Sequence, residues 1–281
     1  MIEFPFKGVN RVKAKAFLLL LTVTAIWGTT FPFQKIIIEG VSPLSYISIR
    51  FLLAALVSFL LWGKGNWKYG SILGIILALS YTTQTVGLKF TTASKNGFFT
   101  SLYVVLVPLV SRLIEKERMN LLQGIGITLA GIGSYFLSGG VAGFNIGDFL
   151  SFLCAVGFAF HVVLITVFSR KIKEEDLLTP QFAITGLLNA LLAVRSSWHF
   201  NLPFLAVAAY TALLATVFGI WIQVKYQKVI GSNTTAIVFA GEPVFAALFS
   251  FLIIGEVFTI FQIIGGAMLV SAIIISGVKV K

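Results

Sequence analysis

The stretch FAGEPVFAALF, residues 239–249, sets a carboxylate, Glu242, directly before Pro243 inside an apolar run from Thr234 to Ile254. A charge at the centre of a membrane helix costs about 2.5–3.5 kcal/mol on insertion scales. Such a group needs a proton, a cation or water, so its chemistry is proton exchange or contact with a polar solute. Pro243 frees the carbonyl of residue 239 and bends the helix. Breaks of this kind are tolerated where backbone lines a cavity or neighbours re-satisfy it. The competing reading is a kinked helix whose Glu242 is tied to Arg50 or His161.

Other polar and aromatic residues fall on shared helix faces. In WGTTFPFQK, Trp27, Thr30 and Gln34 stand at i, i+3 and i+7, with a break expected at Pro32. In YTTQTVGLKF, Tyr81, Gln84, Thr85 and Leu88 form one stripe, and Asn96, Thr100 and Tyr103 form another. These stripes suit a solute path, and they also suit helices joined by polar side chains. Arg50 is an anion clamp, a buried structural cation, or a cation set against an outer water pocket. His161 is a proton shuttle or a satisfied interhelical donor. Trp221 is counted with the cavity, interfacial packing being its alternative. The expected cavity set is therefore Trp27, Thr30, Gln34, Tyr81, Gln84, Asn96, Tyr103, His161, Trp221, Glu242 and Pro243, with Glu242 as a coupling group.

No phosphate-binding loop, no metal-ligand constellation and no nucleophile–base set is present in the sequence. The reading is therefore not an enzyme, with no cofactor and no metal. Cys154, the single cysteine, lies in an apolar segment and forms no intrachain disulfide.

The elements that must position these residues follow from composition. The chain has 281 residues, 58% hydrophobic and 11% charged, with mean hydropathy +0.98. A soluble domain carries about 25% charged residues, so this is an all-α integral membrane protein whose partner is the lipid bilayer. Ten spans are expected, at about 16–37, 43–62, 69–89, 93–113, 120–138, 148–168, 177–194, 203–225, 234–254 and 258–277. The N-terminal basic and apolar run reads as the first span, a cleaved signal peptide being the alternative. Net charge is +11. With the N-terminus inside, the basic clusters at 7–15, 64–68, 112–118, 170–173, 225–228 and 279–281 all fall on the cytoplasmic side. Lys35, Lys89, Lys95 and Arg195 fall outside. That asymmetry predicts an N-in/C-in topology in the plasma membrane and makes a nucleic-acid partner unnecessary.

A weak internal repeat runs at an offset of 139 residues: Glu117 falls on Glu256, Gln123 on Gln262, Gly126 on Gly265 and Tyr103 on Glu242. An odd five helices per half makes the halves, 1–140 and 147–281, run oppositely through the membrane. Inverted repeats mark secondary transporters with a midplane site for a small-molecule substrate. The small-residue runs GIGITLAGIG and IIGGAMLVSA permit close helix packing within the monomer, a homodimer seam being the alternative.

AIWGTTFPFQK, SIRFLLAAL, TTASKNGFFTSLYVVLVPL and EPVFAALFSFLIIGEVFTIFQIIGGAMLV together resemble the drug/metabolite transporter superfamily, in its EamA-like branch, over about residues 16–277. The resemblance implies ten helices in two inverted halves, alternating access, a central cavity, and export of amino acids, other metabolites or drugs. It puts Trp27, Thr30, Tyr81, Asn96, Tyr103, His161 and Glu242 near that cavity. The departure is that Tyr103-Val104 stands where a first-half Glu-Pro would stand, with Pro108 one turn later. The resulting expectation is a secondary transporter exporting small amphipathic metabolites such as amino acids, with proton coupling through Glu242 as a hypothesis. An uncoupled facilitator or channel, or a transporter of drugs, sugars or nucleosides, is the alternative.

Overall fold

Long apolar stretches away from water must satisfy their own backbone, and a helix does so within one segment. The computed structural model describes residues 11–38, 40–140, 143–196, 198, 200–255 and 257–278, and among them there is no β-strand. The helices are α1 (Arg11–Ile38), α2 (Pro43–Trp62), α3 (Trp67–Phe90), α4 (Ala93–Ser101), α5 (Tyr103–Ile114), α6 (Leu121–Leu137) and α7 (Ile146–Ser169). They continue with α8 (Leu178–Leu192), α9 (Leu202–Tyr210), α10 (Gly219–Ile230), α11 (Ser232–Phe239), α12 (Glu242–Ile254) and α13 (Ile260–Val278). A 3-10 turn, Glu174–Leu177, leads into α8, and a π-helical stretch, Thr211–Phe218, joins α9 to α10.

Among the described residues eight segments are long and apolar enough to cross a membrane; Leu121–Leu137 is a shorter apolar helix. Local chemistry sets many ends. Asn66, Asn120, Asn145 and Asn201 each accept a backbone N–H of the following first turn. The turn from α10 to α11 passes through Gly231 at φ +85°, where a Cβ would be strained.

Two expected breaks fall elsewhere. α1 continues through Pro32 without interruption. The break near Glu242 lies at Ala240–Gly241, so Pro243 sits in the first turn of α12, where its missing N–H leaves no bond unmade. The first half breaks at Leu102, upstream of Pro108, which stays inside α5. α5 begins at Tyr103 and α12 at Glu242, the two positions that the 139-residue offset superposes.

Packing follows small residues and apolar faces. α3 lies on α7 and α8, α2 on α8, α6 on α13, and α1 on α10 and α12. A Cβ added at Gly133 would lie 2.8 Å from the Gly265 carbonyl oxygen, and one at Gly265 would lie 2.5 Å from that of Gly133. The glycines of α6 and α13 therefore serve a contact within the monomer. Two buried clusters result, one centred on α2, α3, α8 and α10, the other on α1, α5, α7, α11 and α13. Trp27 and Phe158 pack against both.

Candidate functional site

Between the two clusters lies a cavity with about 530 Å³ not filled by atoms, space open to solvent included. Its wall includes Trp27, Thr30, Arg50, Tyr81, Gln84, Tyr103, Phe158, His161, Ile220, Gln223, Phe239 and Glu242.

The π-helical stretch builds one side. Trp27 Nε1 donates to the Ala215 carbonyl at 2.7 Å, so the indole turns an apolar surface to the cavity. Arg50 Nε donates to Thr216 Oγ1 at 2.8 Å, and its Nη2 lies 3.4 Å from the Tyr81 hydroxyl. The guanidinium also faces the rings of Tyr81 at 4.7 Å and Phe51 at 5.3 Å, within cation–π range. Tyr46 donates to Thr211 Oγ1 at 2.9 Å. Single π turns recur at functional sites because they re-aim side chains and free carbonyls. Here two threonines and one carbonyl reach α1 and α2.

The helix breaks build the opposite side. Glu242 opens α12 and is half-buried, while Tyr103 opens α5 and is 3% exposed. Both line the cavity. Gln84 of α3 and Gln223 of α10 also line it, and the same 139-residue offset relates them. His161 is buried and pairs with Gln181 Oε1 at 3.1 Å.

Of the expected set, Trp27, Thr30, Tyr81, Gln84, Tyr103, His161 and Glu242 share this wall. Gln34 does not; its amide donates to Thr30 Oγ1 at 3.0 Å. Asn96 joins helices instead, donating to the Gln84 carbonyl at 3.0 Å and to Ser151 Oγ at 2.7 Å. Trp221 stacks on Trp62 at 6.0 Å outside the cavity. Pro243 lines a second, smaller void with Phe31, Phe98 and Ser250. Arg50 and Gln223 were not in the set; the offset from Gln84 was the signal that reaches Gln223.

Polar contacts link the helices on either side of the cavity. On the side where α1 starts, Gln223 Nε2 donates to Gln227 Oε1 (2.9 Å) and Gln227 Nε2 to Thr166 Oγ1 (2.6 Å). The hydroxyls of Thr166 and Ser232 stand 2.8 Å apart, and Ser232 donates to Glu115 Oε2 at 2.6 Å. Arg170 pairs with Glu115 at 3.3 Å, and Lys228 with Glu174 at 2.5 Å. Burial, and then the charge of Glu115, raises the Glu117 carboxyl above its ordinary value of 4.5 against the Ser111 hydrogen bond and Arg170. Burial also works to raise Glu174, but its hydrogen bond to Lys228 and the Lys228 and Lys225 charges hold it lower. At the other side Thr91 donates to buried Asp148 at 2.6 Å, with Lys95 Nζ 3.7 Å away, and Lys35 Nζ donates to the Leu88 carbonyl at 3.2 Å. Among the described residues no three His, Cys, Asp or Glu side chains come together as a metal cluster would need.

Comparison with known proteins gives one picture. The model of the EamA-like transporter family matches residues 14–139 and again 145–278. A protein of Archaeoglobus fulgidus named an uncharacterized transporter is 38% identical over 98% of this chain and 89% of its own length. The uncharacterized transporter YoaV of Bacillus subtilis is 25% identical over 91% and 94%. A protein of known crystal structure superposes with TM-score 0.76 at 20% identity, over 93% of this chain and 96% of its own, a likeness of fold.

Proposed function

The chain belongs to the EamA-like transporter family and is a multi-pass membrane protein; on that premise we propose that it is a secondary transporter exporting small amphipathic metabolites by alternating access. In this reading ten helices cross the plasma membrane as two inverted halves, residues 1–140 and 147–281, with both termini in the cytoplasm. One observation carries it. The pairs Tyr103/Glu242 and Gln84/Gln223, each separated by the same offset, all line one cavity, and both halves break their helix at that level. A site formed on the pseudo-symmetry axis of two inverted halves is what alternating access requires. Glu242 is the proposed proton-coupling group, because it is a half-buried carboxylate in the cavity wall.

The test is counterflow in proteoliposomes loaded with a mixed pool of amino acids, nucleosides and sugars. Tracer accumulation against an equal pool marks a carrier; its absence with persistent leak marks a channel. If coupling runs through Glu242, Glu242→Gln keeps counterflow and loses gradient-driven accumulation. Unchanged gradient-driven transport by that variant removes coupling from Glu242.

A further inference from the structure

α12 lies on α1 and α13 lies on α6, and between α12 and α13 a groove opens outward. It holds about 720 Å³ not filled by atoms, open space included. Its wall includes Leu137 of α6, Val244, Ala247 and Phe251 of α12, and Ile263 and Gly266 of α13. Gln262 also stands in the wall, with both polar atoms engaged. Its Nε2 donates to the Leu137 carbonyl at 3.3 Å, and its Oε1 accepts from the Thr259 N–H at 2.9 Å and the Thr259 hydroxyl at 3.0 Å. Two adjacent glycines of α13 differ. Gly265 is pressed against Gly133, whereas a Cβ at Gly266 would meet nothing closer than Leu137 Cδ1 at 3.9 Å. Helix packing accounts for the first glycine and not for the second, whose missing side chain keeps the groove open.

The groove does not end at the surface. Leu137 and Ala247 also belong to the wall of the second void, of about 390 Å³ with open space included, where Phe31, Phe98 and Pro243 stand. Groove and void thus meet at these two side chains. From Val244 to Phe251 the groove follows α12 for about 10 Å, at 1.5 Å per residue. Ser232–Ile253 and Ile260–Gly277 are each long and apolar enough to cross a membrane, so in a multi-pass membrane protein the groove faces hydrocarbon. It is continuous with the exposed faces of Leu248, Phe251 and Ile263. An apolar recess stays dry, and left empty its lining forfeits dispersion contacts. A flexible hydrocarbon chain from the bilayer fits such a shape. No Lys or Arg occurs from Met119 to Ser169 or from Val229 to Val278, so α6, α12 and α13 offer a phospholipid headgroup no cation.

We propose that this groove binds one acyl chain of a membrane phospholipid, whose end passes between Leu137 and Ala247 to the wall at Pro243. The inference goes beyond the transport reading and needs only that the protein spans the membrane. The chain end then touches the residue that follows Glu242, so the bilayer reaches the helix break directly. Recognition is by hydrocarbon alone, and the charge of the headgroup is not read.

The full chain in phosphatidylcholine vesicles tests it, with a small share of phosphatidylcholine carrying a photoactivatable diazirine at the end of one acyl chain. Irradiation and peptide mapping should find adducts on Phe98 and Leu137, which are buried, as well as on Leu79 and Leu109, which are exposed and open to any surrounding lipid. Ala247→Phe should cut the inner adducts about tenfold, the effect of losing about two buried methylenes, and leave Leu79 and Leu109 unchanged. Gly266→Leu, on the other helix, should do the same and serves where Ala247→Phe is not monodisperse. The same chain on phosphatidylglycerol should label alike. Adducts confined to the exposed residues overturn the site, as do inner adducts that survive both variants. A strong preference for phosphatidylglycerol means that the headgroup is held and overturns recognition by the chain alone.

Discussion

At the scale of single residues, Trp27 commits its one polar atom to the backbone of the π-helical stretch. Gly219 sits under the same indole: a Cβ there would lie 2.8 Å from Trp27 Nε1. Trp27→Phe leaves the Ala215 carbonyl without that donor, a loss of about 1 kcal/mol, and should lower the apparent Tm in detergent by a few degrees. Gly219→Ala should act in the same direction through the steric clash. Glu117 gives a pH signature. Its folded-state carboxyl holds the proton more tightly than in the unfolded chain, so its contribution is full at low pH and lost as pH rises above 4.5 through the folded value. Glu117→Gln should flatten that decline and be the more thermostable form at pH 7 to 8; an unchanged profile would show that Glu117 is not its source. Glu174 has the opposite sign, contributing above its ordinary range and losing that as pH falls. Several cavity residues were legible because a buried carboxylate and aromatic–polar faces are rare in apolar sequence. Asn96 was read onto the cavity because a helix-joining amide and a cavity amide have the same spacing; only its partners, the Gln84 carbonyl and Ser151, tell them apart. Arg50 was left open because the sequence cannot say whether a carboxylate stands within reach.

At the scale of elements, the side chains between Gln223 and Glu115 form a directed series across α10, α7, α11 and the end of α5. Ser232 gives its proton to Glu115, so Thr166 must give its own to Ser232 and accept from Gln227. One carboxylate thus orients four donors, and such series strengthen cooperatively. Ser232→Ala interrupts it at two bonds and should destabilise the closed arrangement by about 1–2 kcal/mol. In a Cys154→Ala background, Gln223→Cys should then react faster with a membrane-impermeant maleimide from the cytoplasmic side, and Glu115→Gln should have a similar effect. No change in rate would show that the series does not hold this side shut. The sequence announced the break at Glu242 but put breaks at Pro32 and Pro243 too readily. A proline within a membrane helix need not break it, as the run of α1 through Pro32 shows, so proline marks where a helix can break and does not decide that it will. The π-helical stretch carried no signal at all: TALLATVF reads as an ordinary apolar helix.

At the scale of the molecule, hydrophobic length read through directly, because the bilayer imposes it. Asn66 N–H donates to the Asp176 carbonyl and Thr179 to that of Gly63, while Gln262 reaches the Leu137 carbonyl at the opposite side. The N-in/C-in proposal predicts that, on the Cys154→Ala background, Lys171→Cys in spheroplasts stays unlabelled by an impermeant reagent until the cells are opened. Arg195→Cys should be labelled from outside in intact spheroplasts, and the reverse pattern would invert the topology. The matching helix breaks also have a mechanical meaning. α5 is a helix of 12 residues that starts beside Leu102 and is capped at its far end by Glu115, so under the alternating-access proposal it can act as an arm. At 1.5 Å per residue the arm is about 18 Å long, so a tilt of about ten degrees at the cavity sweeps the tip by about 3 Å. That sweep matches the full length of the Ser232–Glu115 and Arg170–Glu115 contacts. Under the alternating-access proposal, a small adjustment of Tyr103 in the cavity wall would be enlarged at the far end of α5, where Ser232 and Arg170 meet Glu115.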